Sequence, residues 1–186
     1  MALRLNLGAG QNPRPGYVNV DKHGSADVVC DLERFPWPWK DSTVEEVVMS
    51  HVLEHLGQHP DVFIGIMKEL YRVCRDGARI DIRVPHPRHD FFLADPTHVR
   101  TILPATLELF SRRRNREWAA QGVPNTPLAL YHSVDFEIES SSFVLDEPYR
   151  SQLKAGKLSQ EEASALIERY NNVASEIRLV LKVVKP

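Results

Sequence analysis

The sequence predicts an α/β protein built on a mostly parallel sheet, and three features carry that expectation. A short apolar run, Leu5-Asn6-Leu7, passes straight into Gly8-Ala9-Gly10, as a buried strand does when it ends in a tight glycine loop. Val18-Asn19-Val20-Asp21 reads as a second strand with a carboxylate at its carboxyl end. Val44-Glu45-Glu46-Val47-Val48-Met49-Ser50 reads as a further buried run that delivers His51-Val52-Leu53-Glu54-His55 to the same edge. Open α/β sheets bind their ligands along that edge.

Glycine is needed where a ligand presses on backbone, and a carboxylate ending the next strand can grip a ribose diol. The first two strands therefore point to an adenosine-bearing cofactor. A dinucleotide site wants a third glycine three residues after the second, where helix packs on strand beneath a pyrophosphate, but that position is Pro13. Asn12-Pro13-Arg14-Pro15-Gly16 cannot open a regular helix aimed at a diphosphate, because each proline lacks a donor and restricts the residue before it. S-adenosylmethionine carries no phosphate and needs only a close-approach loop for its amino-acid end and an acid for its ribose. As a bare pattern, Gly8-Ala9-Gly10 also fits a plain turn between strands.

With 186 residues, 42% of them apolar and 26% charged, the chain has the size and composition of one globular domain spanning 1–186. A formal net charge of −2 gives no broad basic field for nucleic acid, and Arg112-Arg113-Arg114 with Arg116 reads as a solvated helix face. Cys30 and Cys74 sit in apolar runs and form no CxxC pair, which points to a reducing compartment, so a cytoplasmic protein is expected. No signal-peptide pattern precedes the first strand. No apolar run approaches the roughly 18 residues of a membrane span, so no membrane partner is expected either.

Further along, Asp27-Val28-Val29-Cys30-Asp31-Leu32 reads as a short strand with acids at both ends, Asp31 being placed to hydrogen-bond an adenine amino group. Phe35-Pro36-Trp37-Pro38-Trp39 must be loop, with Trp39 covering the sheet edge and Trp37 left open between that role and walling a purine. Phe63, Ile66, Met67, Leu70, Val73 and Cys74 recur at helical spacing, with Asp61 as N-cap and Gly77 beyond the end. Ile80, Ile82 and Val84 then alternate with Arg79, Asp81 and Arg83, a half-buried strand. Asp95 reads as the N-cap of a helix through Leu103, with Pro96 at its first position. Phe136-Glu137-Ile138 and Phe143-Val144-Leu145 are two short apolar stretches, and Ile177 to Val184 is a closing strand. Between them Ser159-Gln160-Glu161-Glu162 is a capping box opening a helix through Ile167 and Tyr170.

Taken in order, these residues resemble the class I S-adenosylmethionine-dependent methyltransferases, in particular a small subgroup with an LEH signature after the fourth strand. The motifs are the glycine loop, the ribose acid Asp21, Asp31-Leu32 with Phe35-Pro36, Ser50 to Leu56, and Lys68 to Val73 followed by Asp76-Gly77. They cover about residues 4 to 85. The resemblance implies a Rossmann-like, doubly wound, mostly parallel seven-stranded sheet with an antiparallel C-terminal strand. The few residues between Gly10 and Tyr17 imply that the first crossover is shortened or lacks its helix. The helix that covers the cofactor before the first strand in relatives is expected to be lacking. On the cofactor side the resemblance implies Asn6, Gly8, Ala9 and Gly10, with Asp21 and Lys22 after the second strand. Asp31 and Leu32 follow the third strand, and Ser50 and His51 the fourth.

The implied activity is methyl transfer from S-adenosylmethionine to an oxygen or nitrogen nucleophile of a small or carrier-linked acceptor. Such chemistry rests on positioning and water exclusion, with a general base only if the acceptor must lose a proton. His51 is the first catalytic candidate and His86 the next, while Glu54 and His55 are expected to brace the cofactor loop. A structural hydrogen bond from strand to loop is the other reading of His51. Residues 86–133 form the acceptor-binding elaboration, in which Phe91, Phe92, Phe110, Trp118 and Arg100 suit a sugar, a nucleotide or a protein side chain equally. His86, His89, Asp95 and His98 have metal-ligand chemistry, but their spacing matches no standard zinc pattern, so no metal is expected there; the same loop suits hydrogen bonds and a proton acceptor for the methyl acceptor, or plain surface histidines. Two rival functions remain: a non-catalytic module or assembly subunit that binds adenosine or S-adenosylmethionine, and a metal-dependent hydrolase built on the histidine loop. Oligomeric state stays open.

Overall fold

The structure, a computed structural model, describes residues 3–24 and 26–186, so Met1, Ala2 and Ser25 lie outside the described residues. In chain order it comprises β1 (Leu3–Leu7), β2 (Val18–Asp21), β3 (Val28–Val29), β4 (Val44–Ser50), a single 3₁₀ turn (Leu53–His55), α1 (Pro60–Val73) and β5 (Cys74–Pro85). There follow α2 (Asp90–Leu93), α3 (Pro104–Glu108), α4 (Arg112–Gln121), α5 (Leu128–His132), β6 (Phe136–Leu145), α6 (Tyr149–Lys154), α7 (Gln160–Arg169) and β7 (Ala174–Val183). Among the described residues the strands make one seven-stranded sheet in the order β3-β2-β1-β4-β5-β7-β6. The pairs from β3 to β5 are parallel, whereas β7 runs antiparallel to both β5 and β6. This is the Rossmann-like α/β sheet that the sequence predicts.

The first crossover, residues 8–17, is made of turns and holds no helix. Side-chain amides take over the work of a packed helix. Asn6, 4% exposed, donates to the carbonyl of Asn12 at 3.2 Å and to Oδ1 of Asn19 at 2.9 Å, and the same Asn19 oxygen accepts from the Arg14 N–H at 2.7 Å. Asp27 in turn accepts from the backbone and side chain of Asn19. A loop that carries two prolines is thereby fixed above the ends of β1 and β2.

Helix α1 buries Phe63, Ile66, Met67, Leu70 and Val73, the stripe its periodicity predicts. Its cap is His59, whose Nδ1 accepts from the Asp61 N–H, with Pro60 at the first helical position. The sequence reading placed that cap two residues late. The chain leaves α1 directly into β5 at Cys74, ahead of the alternation at Arg79 that marks the strand in the sequence. A register shift between Val44 and Glu46 absorbs the extra residues, and Gly77, at φ +71°, lies beyond the end of α1 as expected but inside this irregular stretch of β5.

No helix begins at Asp95. Its carboxylate instead accepts from the backbone and hydroxyl of Thr97 in a tight turn, at 2.8 and 2.6 Å. The N–H groups of Val99 and Arg100, which a helix would spend internally, both donate to the carbonyl of Glu54. The two apolar stretches around Ser140 are one strand, β6, because a bulge between Ile138 and Ser140 keeps it paired with β7. Helix α7 opens at the expected Ser159–Glu162 capping box. On α4, Arg113 pairs with Glu117 and Glu137, and Arg114 with Glu117 and Glu108, a solvated charged face.

The main core joins both sheet faces and includes Leu5, Leu7, Met49, Ile66, Ile80, Phe110 and Leu179. Trp37, 2% exposed, belongs to it and donates Nε1–H to the Leu32 carbonyl, which makes it cover rather than a purine wall. A smaller cluster of Leu145, Ala163, Ile167, Val173 and Ala174 seats α7 against the ends of β6 and β7. Neither cysteine is paired, and burial pushes the thiol of Cys74 up to about 12. Among the described residues no helix is long and apolar enough to cross a membrane.

Candidate functional site

Strand β1 ends at Leu7, and Gly8 follows it with φ +68°. A Cβ there would lie 2.3 Å from Cγ2 of Val52, so the backbone of β1 presses on the loop after β4 with no room between them. Gly10, at φ +49°, has open space around it, so its backbone conformation and not a neighbour disfavours a side chain there. Its N–H donates to Oδ2 of Asp21 at 2.9 Å, and Oδ1 of Asp21 accepts from the His23 N–H at the same distance. The glycine bend and the acid that ends β2 are thus tied together.

Three hollows meet along this edge. One, of about 400 Å³, is lined by Asn6, Gly8, Ala9, Gly10, Ser50 and His51, and by Asn12, Arg14, Val48 and Arg83. A second, of about 190 Å³, adjoins it through Gly8 and His51 and carries Asp21, Lys22, Asp31 and Leu32, with Cys30, Val52, His55 and Leu56. The third, of about 340 Å³, lies toward β7 and is lined by His51, Pro85, Phe91, His98, Ser175 and Glu176. His51 lines all three.

Every cofactor residue expected from the sequence borders the first two hollows. Asp21 and Asp31 share one hollow with Gly8, and Asn6, Ser50 and two arginines stand around the other. An elongated ligand with donor groups at one end and a carboxylate at the other matches that lining: carboxylates that accept on one side, a hydroxyl and guanidinium groups that donate on the other.

His51 follows β4 in the left-handed region, at φ +56°, a conformation a branched or bulky residue adopts only when held there. Its N–H donates to the Arg83 carbonyl at 2.8 Å, Nε2 stands 2.9 Å from Oε2 of Glu176, and Nδ1 stands 3.5 Å from Oε1 of Glu54. The Glu54 carboxylate raises the imidazole above its ordinary pKa, half-burial opposes that, and Glu176 adds to the rise. A strand-to-loop tie and a position at the junction of the hollows coexist in this one residue.

His86 is different. It is 6% exposed, its Nδ1 accepts from the Arg88 N–H, its ring meets the edge of Phe143, and it borders none of the three hollows. Burial pushes its pKa down, with Arg88 and His89 adding to that. The catalytic expectation for His86 therefore lacks geometric support, because the turn after Pro85 points it toward β6. His89 likewise turns to Asp146 at 3.0 Å and caps α2, so His86, His89, Asp95 and His98 do not converge. Of the aromatic and arginine residues in 86–133, Phe91 borders the third hollow, Phe110 is core, and Arg100 stacks on Phe63 while bonding the Gly57 carbonyl.

Arg83 and Glu176 escaped the sequence reading. Arg83 looks like one of several solvent-facing residues of an alternating strand, and only the pairing Ser50↔Arg83 brings it beside the site. Glu176 arrives from β7 and has no local signal.

No protein-family model matches the sequence, and no curated protein matches it. Solved structures do. A SAM dependent methyltransferase from Archaeoglobus fulgidus is 18% identical, with a TM-score of 0.60 over 97% of this chain and 86% of its own. Burkholderia thailandensis 1,6-didemethyltoxoflavin-N1-methyltransferase, solved with 1,6-didemethyltoxoflavin and S-adenosylhomocysteine bound, is 12% identical, with a TM-score of 0.54 over 99% of this chain and 72% of its own. The [4+2]-cyclase SpnF is 14% identical, with a TM-score of 0.53 over 100% of this chain and 76% of its own. At these identities the likeness establishes the fold, the Rossmann-like α/β architecture found in S-adenosylmethionine-dependent methyltransferases.

Proposed function

We propose that this chain is a class I S-adenosylmethionine-dependent methyltransferase of the LEH-bearing subgroup. In this reading 1–186 is a single domain and 86–133 is the acceptor-binding elaboration. The observation that carries it is the run of three hollows meeting at His51, two with the donors of an adenosyl amino acid and the third open toward β7. Asp31 faces the adenine end, Asp21 the ribose, and Leu32, Val52 and Leu56 give the purine apolar walls. Gly8 and Gly10 let the amino-acid end approach backbone, with Asn6, Arg14, Ser50 and Arg83 around it. The bound cofactor supplies a methyl group on a sulfonium centre that leaves without protonation. What remains for the protein is to align an acceptor oxygen or nitrogen, exclude water, and take a proton where the acceptor carries one. His51, braced by Glu176, is the group placed for the last task. The two unpaired cysteines suit a cytoplasmic protein.

Calorimetry with S-adenosylmethionine tests this directly: Asp21→Ala is expected to weaken binding at least about tenfold, the loss of roughly one charge-assisted hydrogen bond. Equal affinity in the two proteins would count against the site. That a protein named as a [4+2]-cyclase shares this architecture supports a second reading, a chain that binds the cofactor without transferring its methyl group. Labelled-methyl transfer to a cell extract separates them, since proven binding with no transfer favours the second.

A further inference from the structure

Glu54 lies in the 3₁₀ turn after β4, is 1% exposed, and among the described residues neither of its carboxylate oxygens has a hydrogen-bond partner. His51 Nδ1, 3.5 Å from Oε1, makes an ion-pair contact there without a hydrogen bond, and among the described residues Oε2 has no basic partner. Buried carboxylates are ordinarily paired or bound to a cation, because desolvation of a lone charge is costly. The local fold does not ask for this carboxylate, since it is the backbone carbonyl of Glu54 that anchors Val99 and Arg100.

Two imidazoles stand beside it. One ligand atom each from Glu54, His55 and His98 lies within 4.8 Å of the others. Donors on opposite sides of a small divalent ion, at about 2.1 Å each, are separated by about 4.2 Å, so small side-chain rotations close such a site. Both rings are oriented by their outer nitrogens. His98 Nδ1 stands 2.8 Å from the Phe92 carbonyl, which can only accept, so Nδ1 carries the hydrogen and Nε2 the lone pair. His55 Nδ1 stands 2.9 Å from the Thr97 hydroxyl, whose own hydrogen is committed to Asp95 at 2.6 Å. His55 Nδ1 therefore donates as well, leaving its Nε2 as the lone-pair nitrogen. Imidazoles held by a carbonyl or hydroxyl on one nitrogen, with the other free, are the arrangement found around bound metals. Asp95 Oδ2, 3.8 Å from His98 Nε2, offers a further oxygen.

From this we infer that the chain binds a divalent cation on Glu54, His55 and His98. Two neutral nitrogens with one or two carboxylates suit Zn²⁺, Mn²⁺, Fe²⁺ or Co²⁺ over Ca²⁺. His55 borders the second hollow and His98 the third, so the ion faces the space assigned to the acceptor. An acceptor with an oxygen donor would complete its coordination. The inference goes beyond methyl transfer and does not depend on it.

The test takes the full chain, freed of metal with a chelator, and titrates it with Co²⁺ alone, read by visible d–d absorption and by calorimetry. About one equivalent is expected to bind, with Glu54→Gln and His98→Ala each weakening it at least about tenfold and His132→Ala leaving it unchanged. Wild-type protein that takes up no Co²⁺ at about 1 mM, or two variants that bind as tightly as wild type, overturns the inference. Should Glu54→Gln not fold, Mn²⁺ added to the wild-type chain decides the matter by nuclear magnetic resonance. Selective broadening of the His55 and His98 ring protons supports the site, and uniform or absent broadening removes it. No step uses S-adenosylmethionine, so a failure of the methyltransferase reading and a failure of the cation site are told apart.

Discussion

A single methyl group at position 8 would meet Val52 at 2.3 Å on a backbone already in the left-handed region. Gly8→Ala is therefore expected to cost about 1–3 kcal/mol of strain and to push the β4 loop away from β1. Because Gly8 borders both hollows proposed to hold the cofactor, S-adenosylmethionine affinity should fall at least about tenfold while the chain still folds, with melting and calorimetry reading the two effects apart. An Ala variant that binds as well as wild type would show that the bend only turns the chain. Gly8, Asp21 and Asp31 were legible in the sequence because each ends a short apolar run, and topology alone then brings strand ends together. Glu54 was legible as a residue but not in its role. A string of letters does not reveal that its carbonyl is spent on Val99 and Arg100 while its carboxylate is buried without a hydrogen bond among the described residues.

Helix α1 shows what one ion pair does for an element. Glu69, 8% exposed, accepts the Trp37 N–H at 2.6 Å and two bonds from Arg72 at 2.7 Å, and Arg72 also reaches the carbonyls of Trp37 and Trp39 and the carboxylate of Asp41. Together they fasten the proline-rich loop, which cannot join a sheet, onto the helix. Burial alone would raise the Glu69 pKa, but the bonds from Arg72 and Trp37 outweigh it and hold the group below its usual value. A depressed carboxylate stabilises the fold above its unfolded pKa of about 4.3, and that contribution disappears as pH falls through the folded value. Glu69→Gln is expected to lower stability at neutral pH by about 2 kcal/mol, with the gap to wild type closing below about pH 4. Urea denaturation across that range checks it, and a pH-independent gap would mean the loop is held by packing. The stripe of α1 was readable from its period. Its cap was not, since His59 is an unusual acceptor, and the helix expected at Asp95 failed because a distant carbonyl takes the donors it needed.

At the scale of the molecule, the segment after β5 is joined to the core rather than hung from it. Phe110 is fully buried, its ring packs edge-on against Phe63 of α1 at 6.0 Å, and its carbonyl accepts from the Phe136 N–H at the start of β6. Phe110→Ala is expected to cost about 3–5 kcal/mol and to lower one cooperative transition. Two separate transitions would instead mean that 86–133 melts by itself. The parallel half of the sheet could be read from runs of apolar residues, but the site needs a partner from the other half. Glu176 reaches His51 because β7 threads between β5 and β6, and among the described residues β6 bonds to no other strand. As the ribosome releases the chain, β6 therefore waits without a neighbour until β7 emerges, and His51 receives its second carboxylate in that same late event. Assembly of the sheet and completion of the proposed site are then one step, so a chain stalled before β7 would have the two hollows beside Gly8 but an unfinished wall opposite them.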